Sequence, residues 1–267
     1  MKKQLNVLIS GAASGIGNSI AERFLAEGHR VFALDIKEIP ERENLVFRTV
    51  DVTDFEAISK FSDELSKAGV TLDVIISAAG IHAMASLVED DMNAMKRLIN
   101  VNLIGSMQLV RAMHPRLDKD GRIIIITSEV AGFDPMPFNG LYSASKTALE
   151  SYSQALRQEL NLIGQKVITI RPGAVKTPLA DGSVKATADL AERTVLYQKG
   201  ARRFSSIASK FMGKPIEPSK LSSLVYKAST VKRPRLVYKK HQNIGLVLLN
   251  LLPLRLQCAI IKLLLNR

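Results

Sequence analysis

The chain has 267 residues, of which 46% are apolar and 23% are charged, enough apolar material for one globular domain of ordinary size. This composition excludes an intrinsically disordered chain and a fibrous one. A single cysteine excludes an internal disulfide and favours a reducing compartment, so we expect a cytoplasmic protein. We expect no metal site, because cysteine and histidine do not recur at the spacing of metal ligands.

The formal net charge of +12 is concentrated in the C-terminal fifth of the chain. The segment from Pro218 to Arg267 contains ten Lys and Arg residues and no Asp or Glu. The first 217 residues are nearly balanced, with 27 basic and 25 acidic side chains. The function of the positive charge must therefore be sought in the C-terminal segment.

Short apolar runs alternate with helical patterns along most of the chain. The runs predict strands over 5–10, 31–34, 45–50, 72–77, 122–127 and 166–170. Apolar residues recurring every three or four positions predict helices over 16–27, 54–68, 91–117 and 141–163. The basic start followed by the first strand resembles an export leader, but that apolar run is too short for one. Continuous apolar strands alternating with helices predict an α/β fold, a single-domain doubly wound parallel sheet of Rossmann type with helices on both faces.

The pattern weakens after residue 177. Residues 178–216 are polar and only loosely amphipathic, which suits a mobile lid over a substrate site at the carboxyl ends of the strands. A helix over 218–230 and a strand over 235–238 follow. We therefore divide the chain into a dinucleotide-binding and catalytic domain over 1–240 and an apolar, basic helical tail over 241–267.

Glycines lie between the first strand and the first helix, where a dinucleotide pyrophosphate requires close approach of backbone N–H groups. An ordinary strand-to-helix turn would also use glycines, but an acidic residue 18 positions beyond Gly17 favours the nucleotide interpretation. The predicted phosphate loop comprises Gly11, Ser14, Gly15, Ile16 and Gly17.

The acidic residue is Asp35, which ends the second predicted strand. A carboxylate there accepts hydrogen bonds from both hydroxyls of the adenosine ribose and repels a 2′-phosphate. Neither Ser14 nor Ile36 offers a compensating positive charge, although Lys37 lies nearby. The sequence therefore predicts NAD rather than NADP as the cofactor.

Tyr142 and Lys146 lie one turn apart on the same face of the long helix over 141–163. A positive charge beside the phenol favours phenolate, and with an oxidised nicotinamide it would bring the tyrosine pKa toward neutrality. Such a phenol exchanges a proton with an alcohol or a carbonyl. In isolation the pair would be an ordinary solvated helix face, so its interpretation depends on the surrounding motifs.

Taken together, these motifs resemble the short-chain dehydrogenase/reductase family over about residues 5–238. The order and spacing of the following elements carry the resemblance: the glycine loop, Asp35, Asp51-Val52, Ala79-Gly80, Asn102, Tyr142, Lys146 and the turn Pro172-Gly173-Ala174-Val175-Lys176-Thr177.

The resemblance implies a role for each matching position. Tyr142 would be the catalytic acid/base, Lys146 would hold the nicotinamide ribose, and Asn102 would anchor a water molecule that relays protons to that lysine. The implied cofactor contacts are Asp51 and Val52 at the adenine, Ala79 and Gly80 in the cleft, and Pro172, Gly173, Val175 and Thr177 at the carboxamide.

One position departs from the family pattern. The family places a hydrogen-bonding serine 13 residues before the tyrosine, and this chain has Glu129 there, preceded by Ser128. Three accounts remain open: Glu129 is protonated and donates, its carboxylate recognises a basic or polyhydroxylated substrate, or the loop shifts so that Ser128 donates. A fourth possibility is that Glu129 points away in an enzyme that has lost its chemistry.

The tail has strong helical amphipathicity. Its longest uncharged run, 241–254, has 14 residues and is too short to cross a bilayer. Either the tail covers the substrate cleft or a subunit interface, or it lies on an anionic membrane surface as a peripheral segment. Leucine-rich tails, and the sequence Pro137-Phe138-Asn139-Gly140-Leu141 before Tyr142, resemble lipid-, sterol- and retinoid-handling branches of the family, which favours a hydrophobic substrate.

The leading hypothesis is an NAD-dependent oxidoreductase that interconverts a secondary alcohol and its ketone. The alternative is a weakly active or inactive NAD(H)-binding protein that senses redox state, which the presence of Glu129 motivates. Specific nucleic-acid binding is not expected, because the basic tail lacks interleaved aromatic residues. The resemblance also implies a homo-oligomer paired through the helices over 91–117 and 141–163.

Overall fold

The computed structural model describes residues 3–211 and 214–266. For residues 183–184 and 208–211 it describes the backbone only. Seven strands form one sheet in the order β3-β2-β1-β4-β5-β6-β7, and every neighbouring pair is parallel. The strands are β1 (Asn6–Ser10), β2 (Arg30–Asp35), β3 (Leu45–Thr49), β4 (Leu72–Ser77), β5 (Leu117–Ile126), β6 (Lys166–Pro172) and β7 (Val237–Lys240).

Helices connect and cover these strands. They are α1 (Gly15–Ala26), α2 (Phe55–Lys67), α3 (Met92–Ile99), α4 (Gly105–Met113), α5 (Gly140–Asn161), α6 (Pro178–Arg193), α7 (Gln198–Phe211), α8 (Pro218–Thr230), α9 (Ile244–Leu249) and α10 (Leu254–Asn266). A π-helical turn, Asn100–Ile104, joins α3 to α4, and short 3-10 turns occupy His114–Arg116 and Glu129–Gly132.

The sheet is buried on both faces, which confirms the doubly wound prediction. On one face Phe24 and Val225 bring α1 and α8 against alternate strand residues such as Ile9. On the other face Phe61 and Leu149 belong to the cluster that packs α2, α4 and α5 on the sheet. Strands buried on both sides read as continuous apolar runs, which is why the sequence pattern located them.

The strand order reverses between β1 and β4, so the connections after these two strands run to opposite sides of the sheet. A crevice opens at the carboxyl ends of the strands at such a point, and ligands of open α/β sheets bind there. The fold therefore brings the ends of β1, β2 and β4 to one site.

Two predicted bounds in the middle of the chain are wrong. The helix expected over 91–117 is interrupted by the π-helical turn, and β5 begins at Leu117 rather than at Arg122. Leu117 is buried and pairs with Leu72, and the register then shifts before Val74 pairs with Arg122. Because the residues within this irregular stretch are polar, the pattern of apolar residues does not indicate where the strand begins.

The last third of the chain also differs from its prediction in detail. The predicted strand over 235–238 lies two residues later, as β7, because Val237 pairs with Thr169. The loosely patterned segment 178–216 forms two helices, α6 and α7, which pack on one another, and α7 also packs on α10. Its role as a lid stays a prediction. None of the described helices is long and apolar enough to cross a membrane.

Candidate active site

A cavity of about 480 Å³ lies at the switch point of the sheet. Its walls come from the loops that follow β1, β2, β3 and β4, together with α3 and the start of α6. The structure brings most of the predicted cofactor positions together in its lining: Gly11, Ser14, Gly15, Ile16, Gly17, Asp35, Asp51, Val52, Ala79, Gly80 and Thr177.

The glycines of the phosphate loop allow neighbouring backbone segments to approach each other closely. Gly11 has a positive φ of 69°, and a Cβ atom on it would lie 2.7 Å from the Cα atom of Ala79. A Cβ on Gly17 would lie 2.0 Å from the carbonyl oxygen of Gly11. Helix α1 begins at Gly15, so its free N–H groups point toward the cavity lined by the loop. The loop thus fits the pyrophosphate of a dinucleotide.

Asp35 is fixed by the loops on either side of it. One carboxylate oxygen accepts the backbone N–H of Ala13 at 2.9 Å, and the other accepts that of Lys37 at 2.9 Å. The carboxyl group therefore stands at the rim of the phosphate loop, in the lining of the cavity. A side chain held on both oxygens is well placed to recognise the ribose hydroxyls of a nucleotide.

The sequence analysis missed two basic residues of this cavity, Lys96 and Arg97 near the end of α3. They belong to no motif, and only the packing of α3 beside the nucleotide cleft brings them to it. Their charges add to that of Lys37 on the same wall.

The remaining predicted cofactor positions lie along the path from β6 to α6. Pro172 ends β6, Gly173 donates its N–H to the carbonyl of Lys240 at 2.8 Å, and Val175 is buried in the core. Among the described residues, the lining of the cavity does not include these three. These three residues therefore lie beside the cavity and not in its lining.

The three side chains around the reacting position are Ser128, from the turn that follows β5, and Tyr142 and Lys146, from α5. The side chain of Ser128 lies beside the hydroxyl of Tyr142 and acts to lower its pKa. The Nζ atom of Lys146 lies 5.9 Å from the centre of the Tyr142 ring and donates to the carbonyl oxygen of Ile126 at 3.3 Å. Lys146 is only 5% exposed.

Burial dominates the electrostatics of this group. Burial raises the pKa of Tyr142 to about 12, while the neighbouring Ser128 side chain acts to lower that pKa and the carboxylate of Glu129 acts to raise it. It also lowers the pKa of Lys146 to about 8. The lysine ammonium is therefore costly to bury, and its proton is more easily lost than that of an exposed lysine.

Asn102 lies in the π-helical turn and is fully buried. Its Oδ1 accepts the backbone N–H of Ile81 at 2.8 Å, and its Nδ2 donates to the carbonyl of Ile81 and to Ser145 Oγ. A Cβ atom on Gly80 would lie 3.3 Å from Asn102 Oδ1 and 3.4 Å from Lys146 Nζ. Asn102 thus ties the loop after β4 to α5 beside Lys146, and its water-anchoring role stays a prediction.

Glu129 is bonded to the C-terminal part of the chain. Its Oε2 accepts the backbone N–H of Asn243 at 2.6 Å. Burial raises the pKa of Glu129, and the Asn243 bond and the nearby His241 act in the opposite direction. In the structure, therefore, Ser128 contacts the tyrosine hydroxyl, and Glu129 holds the segment that follows β7.

The sequence analysis also missed His82. The centre of its ring lies 4.5 Å from that of Tyr142 in an edge-to-face arrangement, and its Nε2 is 3.0 Å from Asn139 Oδ1. Burial lowers the pKa of His82, which favours the neutral imidazole. Its position two residues after Gly80, in the loop that follows β4, is the one indication the sequence offers.

Comparisons with known proteins agree with this arrangement. The chain is 33% identical over 186 residues to an uncharacterised oxidoreductase of Staphylococcus saprophyticus, covering 65% of this chain and 79% of that protein. It is 28% identical over 230 residues to the 3-ketodihydrosphingosine reductase of Bacteroides thetaiotaomicron, covering 85% and 84%.

Solved structures share the fold. A short chain dehydrogenase from Burkholderia cenocepacia, crystallised with NADP, superposes with a TM-score of 0.73 at 20% identity, over 97% of each chain. The family model described as short chain dehydrogenase matches residues 5–188, more than half of the chain. The phosphate loop, the tyrosine beside its buried lysine and these likenesses together show that the chain belongs to the short-chain dehydrogenase/reductase family of oxidoreductases.

Proposed function

We propose that the protein is an NAD(H)-dependent oxidoreductase that interconverts a hydrophobic secondary alcohol and its ketone. The observation that carries this proposal is the position of Tyr142, with the Nζ atom of the buried Lys146 5.9 Å from the centre of its ring and Ser128 beside its hydroxyl. These three side chains lie together at the carboxyl edge of the sheet. The phosphate loop lies at the same edge.

Each side chain has one task in the proton transfer. A bound nicotinamide dinucleotide supplies the group that accepts a hydride in oxidation or donates one in reduction. During oxidation the alcohol oxygen gives its proton to Tyr142 as the carbon loses hydride. Ser128 donates a hydrogen bond to the reacting oxygen, and the Lys146 ammonium favours the phenolate. Reduction reverses these transfers, with Tyr142 protonating the new alcohol.

Substitution of Tyr142 and Ser128 tests this assignment. We expect Tyr142→Phe to lose about two to four orders of magnitude in kcat, the usual contribution of a positioned acid/base. Ser128→Ala should lose about two orders, as for a donor to a developing oxyanion. Both variants should bind NADH as the wild type does. If Ser128→Ala keeps full activity, another group acts as donor.

The choice of NAD rests on Asp35. Its carboxylate is held by Ala13 and Lys37 at the end of β2 beside the phosphate loop, and a 2′-phosphate bound next to it would be repelled. The structural relative crystallised with NADP and the basic side chains of Lys96 and Arg97 argue for the phosphorylated cofactor. We give Asp35 more weight because it is fixed on the phosphate loop itself.

Fluorescence titration of the two reduced cofactors separates these cases. We expect NADH to bind about tenfold or more tightly than NADPH, and Asp35→Ser to remove most of that difference. Asp63→Asn, on the exposed face of α2, is the matched control and should leave both affinities unchanged. Equal affinities in the wild type would contradict the NAD assignment.

The proposal of a hydrophobic substrate comes from an apolar cluster that includes Phe138. Phe138 lies four residues before the tyrosine and packs edge-to-face against Tyr197 and Phe204, which belong to the connection before α7 and to α7 itself. Met84 and Leu190 complete this apolar cluster. The Bacteroides relative is named for a long-chain keto lipid, which agrees with such a cluster.

The measurement for the substrate class is the rate with secondary alcohols and ketones of increasing chain length. We expect kcat/KM to rise with each added methylene, since burial of one contributes roughly 0.8 kcal/mol. A preference for short or charged substrates would contradict the proposal.

A second candidate is an NAD(H)-binding protein with little or no turnover. Glu129 favours it, because this residue stands at the sequence position of the usual serine and its charge raises the pKa of Tyr142. Protein that binds NADH but shows no Tyr142-dependent activity with any compound of a broad panel would support this function over the first.

A further inference from the structure

An unusual apolar stripe lies on the short helix α9 and the turn that follows it. Ile244 and Leu248 lie four residues apart on α9, the spacing that places side chains on one helical face, and Leu251 follows in the turn. Their side chains are 74%, 59% and 75% exposed. Large apolar residues are scattered singly on most surfaces, whereas three in one stripe indicate a contact surface. We call these three residues the α9 face.

The charged side chains of the tail itself are all basic, and the carboxylates of Glu129 and Asp134 contact the tail from the turn that follows Ser128. Lys239 precedes α9 and Arg255 and Lys262 lie on α10, all exposed to solvent. The whole segment from residue 218 onward has ten basic residues and no acidic one. An exposed apolar stripe on a chain segment whose own charges are lysine and arginine is complementary to a surface that is apolar inside and anionic at its rim.

The segment is attached to the catalytic loop by side-chain hydrogen bonds. Glu129 accepts the N–H of Asn243 at 2.6 Å, and the N–H of Asp134 donates to Asn250 Oδ1 at 2.6 Å. Gln257, which is 4% exposed, donates to Asp134 Oδ2 at 3.0 Å. These bonds join α9 and α10 to the turn that follows Ser128. The α9 face is thus held in a fixed position relative to the active site.

We propose that the α9 face docks the protein on an anionic phospholipid bilayer. A second copy of the chain fits this face poorly, because a two-fold contact would bring two basic segments together. A spanning anchor is inconsistent with the described helices, none of which is long and apolar enough. Shallow insertion of three side chains with electrostatic attraction around them matches the observed pattern.

Vesicle sedimentation tests the docking without any need for enzyme activity, so it is independent of the proposed reaction. We expect the wild type to sediment with phosphatidylglycerol-containing vesicles, to stay in solution with pure phosphatidylcholine, and to be released by high salt. Leu248→Glu with Leu251→Glu should weaken binding by about tenfold or more, since it removes apolar area and adds repulsion.

A matched control pair is available at the end of α5. Leu162→Glu with Ile163→Glu changes the net charge equally at side chains that are 86% and 59% exposed. This pair should bind vesicles as the wild type does. Far-UV circular dichroism and NADH binding check that both pairs are folded. Arg255→Gln with Lys262→Gln should also weaken binding to anionic vesicles, because it lowers only the charge.

Three results would overturn the proposal. The wild type could stay in solution with anionic vesicles, or the two glutamate pairs could weaken binding equally. Alternatively, light scattering could show that Leu248→Glu with Leu251→Glu turns an oligomer into monomers, which would assign the α9 face to a subunit contact.

Discussion

The carboxylate of Glu129 and the phenol of Tyr142 are coupled through the low dielectric of a buried site. Glu129 adds to the rise in the pKa of Tyr142, although its own hydrogen bond is directed at Asn243. Because the Glu129 charge opposes ionisation of the Tyr142 phenol, we expect it to shift the pH dependence of the reaction.

Glu129→Gln removes the charge and keeps an oxygen that accepts the Asn243 N–H. The pKa of Tyr142 should fall, so the basic form needed for alcohol oxidation exists at lower pH. We expect the pH profile of kcat/KM for oxidation to move down by about half a unit to one unit. Glu192→Gln on the exposed surface of α6 should leave the profile in place. Full activity with an unmoved profile would show that the Glu129 charge does not act on Tyr142.

Burial of the Lys146 ammonium lowers the free energy of unfolding of the protein. Burial lowers its pKa from 10.5 to about 8 in the folded state, so the unfolded chain binds the proton more tightly. Stability therefore rises with pH between about 8 and 10.5, and the cost is fully present below 8. We expect Lys146→Met to be more stable by about 1 to 2 kcal/mol at pH 7 and nearly inactive. Thermal unfolding measures this, and a less stable variant would contradict it.

Among the elements, the connection from β7 to α9 determines how the tail meets the active site. A Cβ atom on Gly173 would lie 1.8 Å from the carbonyl oxygen of His241, so this approach is open only to glycine. The same connection provides Asn243 to Glu129. The end of β6, the start of the tail and the catalytic turn are thus packed as one unit.

Gly173→Ala should weaken the packing between the end of β6 and the segment that follows β7. We expect a loss of about 2 to 3 kcal/mol in the free energy of unfolding, because overpacking forces the backbone apart. Trypsin should cleave faster after Arg255 and Lys262 in the C-terminal segment. Gly182→Ala is the matched control, since its Cβ would meet nothing within 4 Å and alanine favours helix α6. Equal urea midpoints for the two variants would refute the steric argument.

For the molecule as a whole, we expect a homo-oligomer paired through α3, α4 and α5. Ile104, in the turn between α3 and α4, is a large apolar side chain that is partly open to solvent. Ile104→Arg should dissociate the assembly toward the 29.3 kDa monomer in light scattering, because burying an unpaired charge at a contact is unfavourable. Ile244→Arg, on the α9 face, should leave the mass unchanged. A monomeric wild type would contradict the oligomer prediction.

The chain's local patterns determined the fold class, the order of the elements and the nucleotide-binding edge of the sheet. Apolar runs, helical periodicity and glycines between Ser10 and Asn18 are features of neighbouring residues, and the sheet they build is confirmed. Family membership also followed from motifs in order along the chain, and it is confirmed as well. The π-helical turn at Asn102 was missed, because it continues the apolar period of its flanking helices.

Only the tertiary structure decided which side chains meet around the tyrosine. Glu129 and Asn243 are separated by 114 positions, and His82 and Tyr142 by 60, so no periodicity links them. Whether Ser128 or Glu129 faces the phenol depends on the path of one turn and on the segment packed against it. Such contacts arise from packing between distant parts of the chain, whereas a sequence pattern reports only what adjacent residues do.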